Sequence, residues 1–249
     1  MSNSPLVDYT LLSPNHSGKR KHVIDTISIH CVAGNATVEA LGKLFANPDR
    51  NASSQYGIGS DGRIGQYVDE ENRSWCTSSS SNDNRAITIE VANTVADEPW
   101  PVSDAAYKSL INLLVDICQR NGIKKLLWKA DKSLIGQVDQ QNMTVHRWFA
   151  NKACPGEWLY SRHGQIAAEV NSRLEGEEVT QEQFNAMMNT YLTQLAEKDA
   201  AEWSAEEREW AESNGLIQGD GTGRKQYKAF CTREQMVVFL HRFFKLFCK

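Results

Sequence analysis

Apolar and polar positions alternate with the period of a strand along residues 21–33, placing Ile27, Ile29 and Cys31 on one face and Ser28 and His30 on the other. Gly34-Asn35 is a turn signal that ends it. A short helix carrying Leu41, Leu44 and Phe45 is expected around 37–46, and residues 55–68 predict a hairpin turning at Ser60-Asp61-Gly62-Arg63. Residues 77–84 read as a Ser/Asn-rich loop. The next stretch, 86–92, alternates again, with Ile87, Ile89 and Val91 opposite Thr88 and Glu90. From Asp104 to Asn121 the residues Tyr107, Leu110, Ile111, Leu114, Ile117 and Cys118 recur at helical spacing. Ser103 or Asp104 can cap that helix and Gly122 can end it. A further helix after Pro155 carries Ile166, Ala167, Val170 and Leu174 on one side. Strands interspersed with helices predict an α/β domain with a mixed central sheet flanked by helices.

Beyond residue 175 the pattern is wholly helical. Thr180-x-x-Gln183, Ser204-x-x-Glu207 and Thr232-x-x-Gln235 are capping-box signatures, each before a helical stretch. The first of these helices has Phe184, Met187, Met188, Tyr191, Leu192 and Leu195 on one stripe. The last has Met236, Leu240, Phe243 and Phe247, widened by Val237, Phe239, Phe244 and Leu246. Charge changes sign within this part: residues 177–212 sum to −8 and residues 213–249 to +5. Such asymmetry marks a separate module. The expected division is 1–175 and 176–249, the second part a small all-helical unit that buries little on its own. It is expected to dock on the first domain or on a second copy of itself, which would make the protein a homo-oligomer.

The whole chain of 249 residues has a net charge of −4 and 41% hydrophobic residues. No apolar run approaches the roughly 20 residues of a membrane span. The near-neutral balance argues against a nucleic-acid backbone binder, so neither nucleic acid nor membrane is an expected partner. Met1 to Thr10 carries no signal-peptide pattern, so synthesis in the cytoplasm is expected. The six cysteines lack CxxC spacing in a chain too large to need staples, and are read as free thiols.

Three side chains suggest a metal. His30 ends a strand, and His146 and Cys154 flank a connecting segment. Two imidazoles and a thiolate with one open position suit a catalytic zinc, whereas a structural zinc has four protein ligands. Taken one at a time, each residue is equally a structural histidine or cysteine. Cys31 is expected to pack in the core. His16, His22, His163 and His241 are read as structural. Glu90 is a charged residue on an otherwise apolar strand, and an unpaired buried carboxylate is costly. Either it is a general base beside a metal or it forms an ion pair with one of the domain's arginines.

The segments Ile27-Ser28-Ile29-His30, Asp61-Gly62-Arg63-Ile64-Gly65-Gln66, Ile87-Thr88-Ile89-Glu90 and His146 through Cys154-Pro155 stand in an order that resembles the zinc-dependent N-acetylmuramoyl-L-alanine amidases, the family of phage T7 lysozyme and the peptidoglycan recognition proteins. The resemblance covers roughly residues 20–175, and the Lys-x-Cys-Pro ending eight residues after a histidine is its most specific part. It implies that His30, His146 and Cys154 bind Zn2+, that Lys152 stabilises an oxyanion, and that Glu90 acts on the attacking water as in one branch of the family. The site tyrosine of the T7 branch falls on Ser54, and a common neighbouring histidine on Gln55, which favours Glu90 as base. Tyr56, Trp75 and Trp148, with the 77–84 loop, are candidates to bind the sugar and peptide of the substrate; as single residues they equally read as core aromatics and an ordinary loop.

In the C-terminal part, Trp210 to Gly221 followed by Thr232-Arg233-Glu234-Gln235-Met236 resembles a single S-layer-homology repeat, which implies attachment to Gram-positive wall polymers. Asp220-Gly221-Thr222-Gly223 has too few carboxylates for a calcium loop and reads as a turn. The expectation is a peptidoglycan hydrolase of phage or prophage endolysin type that reaches the Gram-positive wall after holin-type release and cleaves the amide between N-acetylmuramic acid and L-alanine. A peptidoglycan-binding protein of the same fold without hydrolysis is the alternative; its usual mark is loss of the metal cysteine, and Cys154 is present.

Overall fold

The computed structural model describes residues 3–176, 180–219, 221 and 223–248. Glu177 and Glu178 of the expected boundary, and Asp220 and Thr222 of the expected turn, lie outside them. The chain forms two compact units, Met1–Glu177 and Glu178–Lys249. Among the described residues no helix is long and apolar enough to cross a membrane.

The first unit runs β1 (Tyr9–Thr10), β2 (His16–Lys19), β3 (Thr26–Cys31), α1 (Val38–Ala46), β4 (Tyr56–Ile58), β5 (Ile64–Gln66), β6 (Asn72–Ser74), α2 (Ser80–Arg85), β7 (Ala86–Val91), α3 (Asp104–Asn121), β8 (Met143–Thr144), α4 (Gly156–Tyr160) and α5 (His163–Glu175). Six strands form a mixed sheet in the order β1-β5-β4-β7-β3-β8, antiparallel only at the β4–β5 hairpin; β2 and β6 pair separately. This is the α/β architecture that the alternation predicts. β1, β2, β6 and β8 are additions: strands of two to four residues are too short for alternation to show.

β3 and β7 run in parallel with Ser28 beside Thr88 and His30 beside Glu90. Their isoleucines, with Tyr56 and Ile58, join Leu110, Ile111, Leu114 and Ile117 of α3 and Ile166 and Val170 of α5 in one core. α3 is capped as expected: the Ser103 hydroxyl accepts from the Ala106 amide, and Gly122 ends the helix at a φ of +70°, where a side chain would be strained. A smaller core joins Leu41 and Phe45 of α1 to Tyr67. Tyr67 lies where the paired Gly57 and Gly65 leave room; a Cβ on Gly65 would come within 2.7 Å of the phenol ring carbon that bears the hydroxyl. Gly65→Ala is therefore expected to destabilise the unit by about 1–3 kcal/mol through overpacking, read as a lower denaturation midpoint.

Two sequence expectations change here. The 77–84 stretch contains the short helix α2, because the Ser79 side chain caps it and Asp83 accepts from the Cys76 and Thr77 amides and the Thr77 hydroxyl. The segment after Pro155 is two helices, α4 and α5, rather than one.

The second unit holds α6 (Gln181–Ala196), α7 (Ala205–Ser213) and α8 (Arg233–Phe247). The capping boxes at Thr180 and Thr232 form in full. That at Ser204 does not, because its hydroxyl donates to the Ala201 carbonyl at the end of a short 3-10 turn. Trp210 stacks on Phe247 at 5.6 Å, while Met236, Leu240 and Phe244 remain exposed.

Candidate functional site

The sheet face opposite the main core carries the polar positions of β3 and β7. Ser28, His30 and Thr88 are fully buried, and the Glu90 side chain is 17% exposed. Beside them opens a cleft of about 550 Å3, lined by Glu90, His146 and Lys152, by Arg50 and Arg73, and by Trp75, Cys76 and Ser78–Ser80.

His30, His146 and Cys154 converge there: one ligand atom from each lies within 4.8 Å of the others. The Cys154 sulfur is 3.4 Å from His30 Nδ1, and the two imidazole rings are 5.2 Å apart. Bonds of roughly 2.0–2.3 Å to a tetrahedral ion put neighbouring ligand atoms ~3.3–3.8 Å apart, so this spacing fits a metal. Glu90 Oε1 lies 4.0 Å from His30 Nδ1. Its Oε2 is buried without a hydrogen-bond partner, and no arginine lies within ion-pair distance of it among the described residues. The ion-pair reading of Glu90 therefore finds no partner, and an orphaned carboxylate oxygen beside two imidazoles and a thiol fits a cation.

Hydrogen bonds decide which ring nitrogen each histidine offers. The Ser28 hydroxyl donates to the Thr144 carbonyl at 3.3 Å and so accepts from His30 Nε2–H at 3.1 Å. That tautomer leaves the Nδ1 lone pair toward Cys154 and Glu90. The Ser78 hydroxyl lies 3.1 Å from His146 Nε2 and engages that nitrogen, so Nδ1 is the one open to a metal. Both rings are kept neutral, as ligation requires. Burial, then the charges of His146 and His163, push the His30 pKa down to about 3; burial and then the Lys152 ammonium lower that of His146. Ser28→Ala is expected to weaken metal binding about 10–100-fold with the fold intact, measured by competition with a chromogenic chelator.

In the metal-free protein Cys154 and Glu90 are pushed toward their protonated forms, whereas the hydrogen bond with Cys154 shifts Cys31 the other way. The hydrogen bond with Cys31, then burial and the Glu90 charge, raise Cys154 well above the usual thiol range. Burial, and then the charge of Cys31, push Glu90 up to about 8. A dication reverses these preferences by favouring thiolate and carboxylate.

Among the other residues singled out by sequence, Lys152 and Trp75 line the cleft, and Trp75 Nε1 donates to the Ser17 hydroxyl at 2.6 Å. Tyr56 does not reach it: the ring is fully buried, and its hydroxyl donates to Glu70 at 2.6 Å and accepts from the Ser4 amide. Trp148 is buried too, stacked on Trp128 at 5.0 Å. Both are packing residues, since their strand and turn positions aim them into the domain. Ser54 and Gln55 are fully buried, Gln55 accepting from Ser74 and Thr88. Cys31 joins the core as expected, yet it also edges the cleft and bonds Cys154. Cys76 and Ser28 were not expected at the site, and Ser78 was expected there only as part of the substrate-binding 77–84 loop. Of the first two, only Ser28 left a signal, two residues from His30 on the same strand face.

A mixed α/β sheet thus carries a His/His/Cys cluster beside a carboxylate with one orphaned oxygen at the edge of an open cleft, the donor set of a metal site. Residues 20–157, which include all four of these side chains and Lys152, match the N-acetylmuramoyl-L-alanine amidase family, and the chain belongs to it. Solved structures similar to it include PlyL (15% identity, TM-score 0.48, 67% of this chain and 97% of that one) and AmpD (18%, 0.48, 67% and 99%). The endolysin N-acetylmuramoyl-L-alanine amidase LysCS from Clostridium intestinale is also similar (18%, 0.43, 69% and 99%). No curated protein matches.

Proposed function

We propose that the cleft is the active site of a zinc amidase that cleaves the bond between the lactyl group of N-acetylmuramic acid and L-alanine in peptidoglycan. The observation that carries this reading is the convergence of His30, His146 and Cys154, with Glu90, one oxygen of which has no partner, 4.0 Å from His30, inside the family-matched segment. Zinc, when bound, supplies a Lewis acid that polarises the scissile carbonyl and acidifies the attacking water. His30, His146 and Cys154 hold it, with Ser28 and Ser78 fixing the rings. Glu90 takes a proton from the water and returns it to the leaving amine of alanine, so that no net charge is left in the cleft. The exposed Lys152 ammonium at the cleft wall balances the oxyanion that develops on the carbonyl oxygen. Trp75 and the Ser78–Ser80 edge offer an aromatic face and short hydroxyls to sugar and peptide.

For the second unit the reading is wall attachment, resting on the S-layer-homology resemblance and the basic end of the chain. Together the two units make a lytic enzyme of endolysin type that acts on Gram-positive walls. Digestion of purified walls, followed by mass spectrometry, tests this. Release of free L-alanine amino groups from stem peptides is the expected result, and release of reducing sugar ends would refute it.

A further inference from the structure

We propose that the cleft carries a second metal position, formed by His30, Cys76 and Glu90, which takes a thiophilic divalent ion in competition with the His30, His146 and Cys154 triad. The three donors come from β3, from the segment after β6 and from β7, and one ligand atom of each lies within 4.8 Å of the others. His30 Nδ1 is 4.0 Å and the Cys76 sulfur 3.9 Å from the same Glu90 oxygen. Those edges exceed the ~3.3–3.8 Å of a tetrahedral site by a few tenths of an ångström, within the reach of side-chain rotation. The Cys76 thiol donates to Glu90 Oε1, which leaves the other carboxylate oxygen without a donor. The second carboxylate oxygen of Glu90 is buried and unpartnered, and the Cys76 thiol is buried against the same carboxylate. A dication between them would take the place of the thiol proton and give the carboxylate its missing partner.

The donor set of imidazole, thiolate and carboxylate selects the class of ion. It suits zinc, cobalt or cadmium and not the all-oxygen preference of calcium or magnesium. The two positions exclude one another, because both draw on His30 Nδ1, while Nε2 is committed to Ser28. The chain thus holds one ion, which pivots on His30. In the second position it engages Glu90 and leaves His146 and Cys154 unfilled, so on the reading of the preceding section this is an inactive holding state.

Cobalt absorption of the full-length chain tests the proposal. Cys154→Ser removes the first triad, and the expected result is a thiolate-to-cobalt charge-transfer band in the near ultraviolet that survives this substitution. The band should persist in Cys31→Ser/Cys154→Ser and vanish in Cys76→Ser/Cys154→Ser. Absence of the band in folded Cys154→Ser, or its persistence without Cys76, would overturn the second position. Circular dichroism checks folding, and Cys154→Ala replaces the serine variant if that fails to fold. A wild type that binds no metal refutes the zinc amidase; a wild type that binds cobalt beside a silent Cys154→Ser refutes only this inference.

Discussion

Cys154→Ser, purified and dialysed, is expected to retain no zinc in the His/His/Cys triad and to lose amidase activity by about 10³-fold or more. The thiolate is the one anionic ligand of that triad, and two neutral imidazoles alone neither balance a dication nor complete a three-ligand site. The Lewis acid and the acidified water are together worth several kcal/mol of transition-state stabilisation, and ~4 kcal/mol corresponds to the loss stated. The sulfur sits at 3.4 Å from His30 Nδ1 in a half-buried residue, so the slightly smaller serine leaves little cavity. Activity is read as amino groups released from purified walls, and loss of the triad's metal by elemental analysis of Cys154→Ser in a Cys76→Ser background. A dialysed variant that still hydrolyses walls would remove Cys154 from the mechanism.

Glu90→Gln is expected to lower activity about 10²- to 10⁴-fold with zinc retained, since it keeps the shape and removes the base. The same substitution makes an opposite prediction for the stability of the metal-free protein. Burial, then the charge of Cys31, hold the folded Glu90 pKa at about 8, against 4.5 as its ordinary value. Between those pH values the folded chain binds a proton that the unfolded chain has released. Wild-type stability therefore falls as pH rises, by ~1.4 kcal/mol per unit, and levels off above about 8. Glutamine carries no such proton. The variant should match the wild type at pH 4 and exceed it by several kcal/mol at pH 9 in denaturant titrations. Parallel stability profiles for the two proteins would show that the carboxylate is not held protonated, and unchanged activity would demote Glu90 to structure.

Much of the centre is legible from local pattern. Alternation puts Ser28 with His30 and Thr88 with Glu90, because successive strand residues point to opposite faces whatever the rest of the chain does. The α3 stripe and its caps follow from helical period and side-chain hydrogen bonding in the same way. Where local pattern fails, the deciding contact is distant in sequence. Tyr56 belongs to the core because β4 lies beside Ile89 of β7, and its hydroxyl is claimed by Glu70. Trp148 is turned inward by Trp128. The Ser/Asn stretch is a different case: it becomes helical through side-chain bonds within seven residues, the Ser79 cap and Asp83 on the Cys76 and Thr77 amides, which outweigh the weak helix propensity of those residues.

By itself the sequence determined the longer strands β3 and β7, the β4–β5 hairpin, helices α1 and α3, the capping at Thr180 and Thr232, the change of charge at the C-terminal part and the identity of the candidate metal donors. These depend on a residue and its near neighbours, so the chain carries them explicitly. Only the tertiary structure decided that β3 and β7 pair with His30 beside Glu90, that Ser28 and Ser78 select the ring nitrogen, and that Cys31 and Cys76 share the cleft. Register and approach of this kind are set by the packing of the sheet against α3 and α5, where shape and burial act across the whole domain.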